Sequence, residues 1–467
     1  MVKRKASGGG GGVTKALKAV AKSGRVVPYQ ETLVTVNQPK APSVNVVSTE
    51  YDVWSDIPLK TDTLDTVYIE YKPTDTGTNP VIITVPAADE NMPDISKSYF
   101  IFDVYATDLA GDALAGNKAF FKNNAFHNII KQVEVKVDQA IVGVNTESYM
   151  QEAYITTLLN HNKEAQDTFM SVQSWCKDVS AHMNSAIATE NTALAKRGLL
   201  QTKQQHLLFG FPVCDLAKAD RVLPPNTKLE FKIYLNDPKM IFAALDTGDT
   251  DRAKLVFGTP TLMLARKIPT PELWESLQKR WMSHPWTVPL PHTKLRTKTL
   301  SVNTPFFQFD DLFNGEIPNM LCVWMVPVLN VAGSYKLNQY DYQRHDLRSF
   351  ELLLNGNDLI KYAKNLHGKH LRHAYLNMKL QDGSGFVDKN GPYITESEFG
   401  AGYFVLQFDL TRGKTGHMHI SQLPRTGNLS IKMTFGGNLT AAVQLYYMGT
   451  FNRILEIDHD HNGTYPM

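Results

Sequence analysis

The sequence has few cysteines and lacks both a long apolar run and a signal peptide. Its three cysteines, Cys176, Cys214 and Cys322, lie far apart and form no CxxC pair, which argues against a disulfide framework or a zinc knuckle and predicts a reducing compartment. No apolar stretch approaches the roughly 18 residues of a membrane span, and MVKRKASGGGGG lacks the apolar core of a signal peptide. We therefore expect no membrane span and no export by the usual secretory route.

Motifs of the common enzyme classes are also missing. The chain contains no GxSxG elbow, no HExxH, and no glycine-rich phosphate loop followed by Lys-Ser or Lys-Thr. The stretch HGKHLRHAY places His367, His370 and His373 three residues apart, which would form a metal-binding face on a helix. Because Lys369 and Arg372 oppose a cation, a basic solvated loop is the favoured interpretation.

A second histidine pair, His417 and His419 in HMHIS, would share one face of a strand. Some jelly-roll oxygenases bind a metal with two such histidines and a carboxylate. No carboxylate partner is evident in the sequence, so we expect no metal and no cofactor here.

The segment NRILEIDHDHNGTYPM crowds five acid or base groups into six positions: Glu456, Asp458, His459, Asp460 and His461. In an extended chain the two aspartates point to one side and the two histidines to the other, so their lone pairs do not converge on one ion. The favoured interpretation is a solvated polar tail after an apolar strand, and no metal is expected.

The net charge of +2 hides an asymmetry along the chain. Residues 1–30 carry seven basic side chains and no acidic one, whereas the remainder has 41 basic and 46 acidic residues. The pentaglycine run Gly8–Gly12 predicts flexibility, so residues 1–44 are expected to form a basic flexible N-terminal arm that contacts a polyanion or the inner side of an assembly. Its basic residues are Lys3, Arg4, Lys5, Lys15, Lys18, Lys22 and Arg25.

The rest of the chain has the composition of a folded protein, and its dominant pattern is β. Of its residues 43% are hydrophobic and 10% aromatic, and the length of 467 residues allows two or three domains. Alternating or β-branched runs recur between Asn, Asp, Gly and Pro clusters, as in sandwiches and jelly rolls. The clearest are KSYFIFDVYA, QVEVKVDQAIV, KLEFKIYLN, LSIKMTF and AVQLYYMG.

Two helices and a connector interrupt this pattern. ESYMQEAYITTLLN has apolar residues at four-residue spacing, and TPELWESLQKRW begins with a Thr cap followed by Pro271. The Pro- and Trp-rich residues 268–300 are predicted to connect two β units of about 200 residues each. Trp274, Trp281 and Trp286 need burial, which we expect at subunit contacts.

Several segments in fixed order resemble one family. FKNNAFHNIIKQVEVKVDQAIVGVNTESYMQEAYITTLLNHNKEA and SWCKD resemble the first jelly roll of the double-jelly-roll major capsid proteins of polinton (Maverick) elements. GSYKLNQYDYQRHDLRSFELLLNG, EFGAGYFVLQFDLT and the closing LEID resemble the second. The resemblance covers residues 95–460, whereas residues 1–95 and the turn at Asp138-Gln139 depart from the family pattern. Fish adomaviruses are the related virus group that fits best.

The resemblance implies an all-β fold of two tandem eight-stranded jelly rolls with a few short loop helices. It implies a non-enzymatic, hexon-like capsid protein whose homotrimers tile an icosahedral shell around double-stranded DNA. Implied partners are neighbouring trimers, penton and minor capsid proteins, and genomic DNA through the arm. The implied location is the virion capsid, assembled in the host nucleus. Segments 160–205 and 361–400 would form tower loops and intersubunit contacts.

These expectations give definite boundaries and one rival. The domains are predicted as arm 1–44, first jelly roll 45–267, connector 268–300 and second jelly roll 301–467. The rival is a two-domain jelly-roll enzyme, a metal oxygenase or glycan amidase, built on His417, His419 and a carboxylate. A trimer or larger particle would favour the capsid protein, whereas a metal-bearing monomer would favour the enzyme.

Overall fold

The predicted strands are present in the computed structural model of the chain. It describes residues 62–466 except 76–78, 88–89, 109, 113–118, 145–147, 186, 188, 198–204, 245–252, 363–365, 367–368, 382–390, 415 and 417–422. The described residues belong to one compact unit, Lys60–Met467. The predicted arm, with its seven basic residues, lies outside them.

Strands extend through both halves of the chain. Those of the first half are β1 (Thr63–Tyr71), β2 (Val81–Val85), β3 (Met92–Thr107), β4 (Ala119–Phe121), β5 (Ile130–Val137), β6 (Ala140–Val144), β7 (His206–Gly210), β8 (Leu229–Leu235), β9 (Phe242–Ala244), β10 (Lys254–Phe257) and β11 (Thr261–Pro269). Those of the second are β12 (Trp286–Leu300), β13 (Phe306–Phe309), β14 (Glu316–Ile317), β15 (Met320–Pro327), β16 (Leu347–Leu354), β17 (Asn357–Tyr362), β18 (Val405–Asp409), β19 (Arg425–Thr426), β20 (Leu429–Phe435), β21 (Val443–Ile457) and β22 (Gly463–Thr464).

Helices lie between the strands, and none in the described part of the chain is long and apolar enough to cross a membrane. They are α1 (Ala125–Asn128), α2 (Tyr149–Asn160), α3 (Lys163–Asp167), α4 (Thr192–Arg197), α5 (Pro238–Ile241), α6 (Pro271–Trp281), α7 (Val328–Val331), α8 (Lys369–Gln381) and α9 (Glu396–Gly400), with 3-10 turns at Phe169–Gln173, Ser180–His182 and Leu216–Lys218. Both predicted helices are confirmed, as α2 and α6. Thr270 is the N-cap of α6 and Pro271 its first residue, although the Thr270 side chain accepts no capping hydrogen bond.

Each half folds into two facing antiparallel sheets. In the first half β1-β11-β3-β10, with β7 beside β3, faces β2-β8-β5-β6; in the second, β12-β21-β15-β18, with β22 beside β21, faces β13-β20-β16-β17. Most neighbouring strands are distant in sequence, as in jelly rolls, with β5-β6, β16-β17 and β21-β22 as consecutive pairs. Apart from the added β10 and β22 and the separate two-stranded pairs β4-β9 and β14-β19, each half has the eight strands expected in the described part of the chain. The fold is therefore the predicted double jelly roll.

The cores of the two jelly rolls interlock. Tyr154 and Trp175 from the first half are buried in the core of the second. Val288 from β12 and Leu455 from β21 are buried in the core of the first. The predicted domain boundaries stay predictions, but neither half holds all the side chains of its own core. We therefore expect the two jelly rolls to unfold together.

The predicted connector, residues 268–300, consists mainly of regular secondary structure. It contains α6 and β12, and β12 pairs with β21 from Trp286 opposite Ile457 to Leu300 opposite Val443. Trp281 is 7% exposed and donates a hydrogen bond to the carbonyl of Ile457 over 3.1 Å. The expectation that this tryptophan is buried at a subunit contact is wrong, because the chain itself buries it.

Candidate functional site

The surface where the two jelly rolls meet is the most extensively built polar region among the described residues. Strand β15 is buried on both faces. A strand with one face toward solvent would instead alternate between buried and exposed residues. Its Trp324 stacks on Tyr446 of β21 with ring centroids 5.5 Å apart. Gln151 of α2 covers this pair by accepting hydrogen bonds from the Trp324 indole N–H over 3.3 Å and the Tyr342 hydroxyl over 3.0 Å.

One turn further along α2, Tyr154 holds the same surface by aromatic packing. Its ring stacks on Tyr340 at 3.8 Å and meets Tyr342 edge-on at 5.8 Å. Its hydroxyl accepts a hydrogen bond from the Asn123 side chain over 3.3 Å. Burial raises the pKa of Tyr154 above its ordinary range, so the phenol stays neutral. Helix α2 therefore supplies a rigid apolar and hydrogen-bonding plate to the second jelly roll.

Lys122, just after β4, is a buried cation that binds the second half. Its Nζ donates to the carbonyls of Lys239, Ser334 and Leu337 over 2.9, 2.7 and 3.0 Å, and to Gln339 Oε1 over 3.0 Å. Burial lowers the pKa of Lys122 to about 7, while the charge of Asp178 opposes that shift. The side chain fixes segment 334–339 onto the first jelly roll.

Asp178 lies at the centre of a second polar cluster at the junction. It forms an ion pair with Arg197 over 2.7 Å, with both side chains almost fully buried. Its other oxygen accepts from the Asn338 amide over 3.1 Å, and Arg197 also donates to the carbonyl of Phe121 over 2.9 Å. Both charges are thus satisfied within the protein, as buried ions require.

The junction leaves little empty space. A cavity of about 20 Å³ is lined by Lys122, Asp178, Arg197 and Asn338. That volume suits about one water molecule. The cluster joins the two halves through its hydrogen bonds.

A third cluster joins β12 and the segment after β22 to the first jelly roll. Asp215 accepts hydrogen bonds from His292 Nδ1 over 2.5 Å and from the Tyr465 hydroxyl over 2.8 Å. Burial disfavours the charged form of Asp215, but the His292 hydrogen bond and the charge of Lys218 outweigh it and lower the pKa. The His-Asp pair has the form of a proton-transfer pair, yet the Tyr465 phenol and backbone of Thr293 complete the Asp215 shell.

The histidine groups singled out in the sequence do not assemble into a described site. His370 and His373 lie exposed on α8, so the predicted basic loop is wrong there: the stretch from Lys369 is helical. His367, His417 and His419 lie outside the described residues. In the part of the chain that is described, no three His, Cys, Asp or Glu side chains are placed to hold a metal ion.

The residues after β21 form a turn instead of a solvated extended tail. Asp458 accepts from the backbone N–H of Asn462 over 2.7 Å, and β22 returns alongside β21. The rings of His459 and His461 both lie 5.3 Å from the ring of Trp281. The prediction that the histidines lie on one side is consistent with this contact, but the tail is folded onto the first half.

The key junction residues carry no signal that sequence reasoning used. Lys122, Gln151 and Asp215 are isolated polar residues, each of a type that is exposed in most proteins. The Asn-rich stretch FKNNAFHN around Lys122 contributes to the family resemblance and does not indicate a buried lysine. Their roles depend on acceptors and donors more than 70 residues away in sequence, such as Gln339, Trp324 and His292.

With this geometry the chain defines a class: an all-β protein of two jelly rolls joined by a buried polar junction. No protein-family model and no curated protein sequence matches it. Solved structures do. A chain of the Sputnik virophage particle is 14% identical with a TM-score of 0.63, covering 95% of this chain and 93% of that one.

Two further solved structures have the same fold. The mavirus major capsid protein is 12% identical with a TM-score of 0.52, covering 95% of this chain and 97% of that chain. The Faustovirus major capsid protein is 8% identical with a TM-score of 0.55, covering 86% and 92%. The chain thus has the double-jelly-roll fold of viral major capsid proteins, as its sequence resemblance implied.

Proposed function

We propose that the protein is a non-enzymatic major capsid protein whose trimers tile an icosahedral shell around a DNA genome. One observation carries this proposal: the likeness to the mavirus protein spans 95% of this chain and 97% of that one, so both jelly rolls and their order are shared. Two similar rolls per chain give six per trimer, which approximates sixfold packing.

The junction between the two jelly rolls is consistent with a subunit that resists mechanical force. A shell subunit must transmit force between its two jelly rolls without a hinge. The interlocked cores, the acceptors around Lys122 and the hydrogen bond from Asn338 to Asp178 join the rolls by buried contacts. A subunit built this way acts as one rigid tile.

The remaining partners and the location follow from the same proposal. Neighbouring trimers, penton proteins and minor capsid proteins would contact the trimer edge, and the chain would reside in the virion after assembly in the nucleus. The basic arm would extend beneath the trimer, where its seven cations meet DNA or minor proteins. The particular virus is expected to be adomavirus-like.

Particle assembly tests the proposed function. Purified protein should elute as a trimer by light scattering at micromolar concentration, and negative-stain images should show hexagonal-outline particles or shells. The opposite result is a monodisperse monomer, above all one that carries stoichiometric zinc, iron or manganese. That result would replace the capsid protein with the jelly-roll enzyme.

A further inference from the structure

Each jelly roll has one sheet whose outer face is polar. In the first roll, β5 and β8 carry alternating charges on that face. Glu134 lies 3.4 Å from Lys136 and 3.3 Å from Lys232, and Glu230 lies 3.8 and 3.4 Å from the same two lysines. Such a ladder of partly exposed ion pairs is typical of a strand face in contact with water.

The opposite sheet of the first roll has an apolar outer face, which we call the Tyr99 face. Along β3, Phe100, Phe102 and Val104 are buried inside, and the alternate residues point outward. The Tyr99 face consists of Tyr99, Ile101, Asp103 and Tyr105 with their cross-strand partners Met263, Phe209, Leu207 and Val256, and Tyr68 of β1.

This face is partly accessible within the described part of the chain. Tyr68 is 50% exposed and Leu207 is 52% exposed. The rings of Tyr68, Tyr99 and Phe209 follow one another across the sheet at 6.3 and 6.4 Å. Asp103 is the one charged residue of this set; its Oδ2 accepts a hydrogen bond from the Gln205 amide over 2.6 Å, and its Oδ1 is buried without a hydrogen-bond partner within the described ranges. The exposed Glu70, opposite Met263 on β1, borders the set. A contiguous aromatic patch of this kind marks an interface.

The corresponding face of the second roll is already covered. There β15 takes the place of β3 in the strand order, and its outer face is buried because Tyr342 packs on Trp324 while α2 covers both residues through Gln151. Helix α2 follows the β5-β6 hairpin of the first roll. The chain thus shows which kind of element covers such a face.

We propose that the Tyr99 face is covered by α8 of a second copy of this chain. Helix α8 follows the β16-β17 hairpin of the second roll as α2 follows β5-β6 of the first. It exposes Leu376 and Leu380, 41% and 38% accessible and one turn apart. Its sequence KHLRHAYLNMKLQ contains basic residues and no acidic one, which complements the exposed Glu70 at the border of the Tyr99 face.

This inference rests on the proposed function and adds the partner surfaces to it. A contact from α8 of one copy to the Tyr99 face of the next uses two different surfaces, so it is heterologous. Each copy then keeps one free α8 and one free Tyr99 face until the ring closes. Closure by three copies alternates in-chain and between-chain contacts around the trimer.

Matched substitutions on strand β7 and on helix α8 test the two surfaces. Leu207→Asp places a charge in the Tyr99 face, and Leu376→Asp places one on α8. We expect each to weaken trimer association on the order of tenfold or more, measured by light scattering over a dilution series. Ile82→Asp is the control, because Ile82 is a strand residue 39% exposed outside this face. It should leave the trimer intact. Unchanged thermal unfolding of the dissociated monomers excludes misfolding.

A crosslink tests the pairing itself. In a Cys176→Ser background, Leu207→Cys with Leu376→Cys should give disulfide-linked dimers and trimers on oxidation, and neither single variant should. If the wild type is a trimer and the Leu207→Asp variant is an equally stable trimer, this inference is overturned and the proposed function stands. A wild-type monomer would overturn both. Dissociation by Leu207→Asp with neither crosslink nor effect of Leu376→Asp would reject α8 as the occupant.

Discussion

At the scale of single residues, the junction depends on polar groups that have no access to water. Lys122 shows this most directly, because its ammonium is shared by four oxygen acceptors from two distant segments. An apolar residue of the same length would fill the space but leave those acceptors unpaired. Each unpaired buried acceptor costs about 1–3 kcal/mol.

Lys122→Met is therefore expected to lower the free energy of unfolding by about 3 kcal/mol or more. Chemical denaturation at one protein concentration measures it. Lys279→Met is the control, since Lys279 is 74% exposed and pairs only with Glu275 one turn away. That change should stay within about 0.5 kcal/mol. Equal effects of the two substitutions would show that the carbonyl cage contributes nothing.

Glu152 gives the junction a pH dependence. Burial raises its pKa from 4.5 to about 7, with the charge of Lys218 opposing the shift. Between these two values the unfolded carboxyl is ionised while the folded one keeps its proton. The stability that Glu152 contributes is therefore complete below the unfolded pKa and is lost as pH rises through the folded pKa.

Glu152→Gln should remove this dependence. The amide stays neutral at every pH, so the variant should match the wild type near pH 4 and exceed its free energy of unfolding by up to about 3 kcal/mol at pH 8. Denaturation curves at the two pH values provide the measurement. Glu275→Gln, on an exposed helix face, should show no such difference. A wild type whose advantage over Glu152→Gln grows with pH would contradict the sign.

At the scale of elements, helix α2 belongs to the first jelly roll by sequence and to the second by packing. Tyr154, Ile155 and Leu158 are all buried in the core of the second roll. Because the helix contacts both jelly rolls, unfolding of either roll removes contacts that stabilise the other. Removal of its central ring should therefore destabilise the whole unit rather than one half.

Tyr154→Ala is expected to lower the free energy of unfolding by about 3–5 kcal/mol in a single transition. Tyr154→Phe keeps the ring stack on Tyr340 and loses the hydroxyl contacts with Asn123 and Tyr403. It should lower the free energy of unfolding by about 1 kcal/mol. Hydrogen exchange then distinguishes the halves. Faster exchange confined to β5 and β8, with β15 and β21 unchanged, would show that α2 does not couple them.

At the scale of the whole molecule, the state of the three cysteines predicts whether assemblies are held by disulfides or by non-covalent contacts. Cys214 and Cys322 are buried free thiols, and Cys176 is partly buried. Burial raises the pKa of Cys214 to about 12, so its thiol is unreactive at neutral pH. We therefore expect assemblies to be held by packing and ionic contacts alone. Reductant without other treatment should leave trimers and shells intact.

Deletion of residues 2–25 should leave the trimer intact but impair particle assembly or genome packaging, because the arm is proposed to act beneath the shell. A same-length variant with its seven basic residues changed to Ser separates charge from length. It should reproduce the defect, since phosphate neutralisation needs the cations themselves. Normal numbers of filled particles from both variants would leave the arm with no role in assembly.

The sequence by itself determined the local structure and the class of fold. Alternation in KSYFIFDVYA and QVEVKVDQAIV predicts β3, β5 and β6, and the Thr-Pro start predicts α6, because these signals depend on neighbours within a few residues. The ordered resemblance predicts two jelly rolls. Nothing local distinguishes Lys122 from an exposed lysine.

Only the tertiary structure decided which faces are covered. Strands β3 and β15 hold equivalent places in their sheets, yet β15 is buried on both faces whereas β3 is buried on one. The difference arises because α2 packs over the outer face of β15. Trp281 likewise joins the core through a contact with Ile457, which is 176 residues distant. Burial is a property of chain segments brought together from far apart, and a pattern of neighbours carries no record of which segments meet.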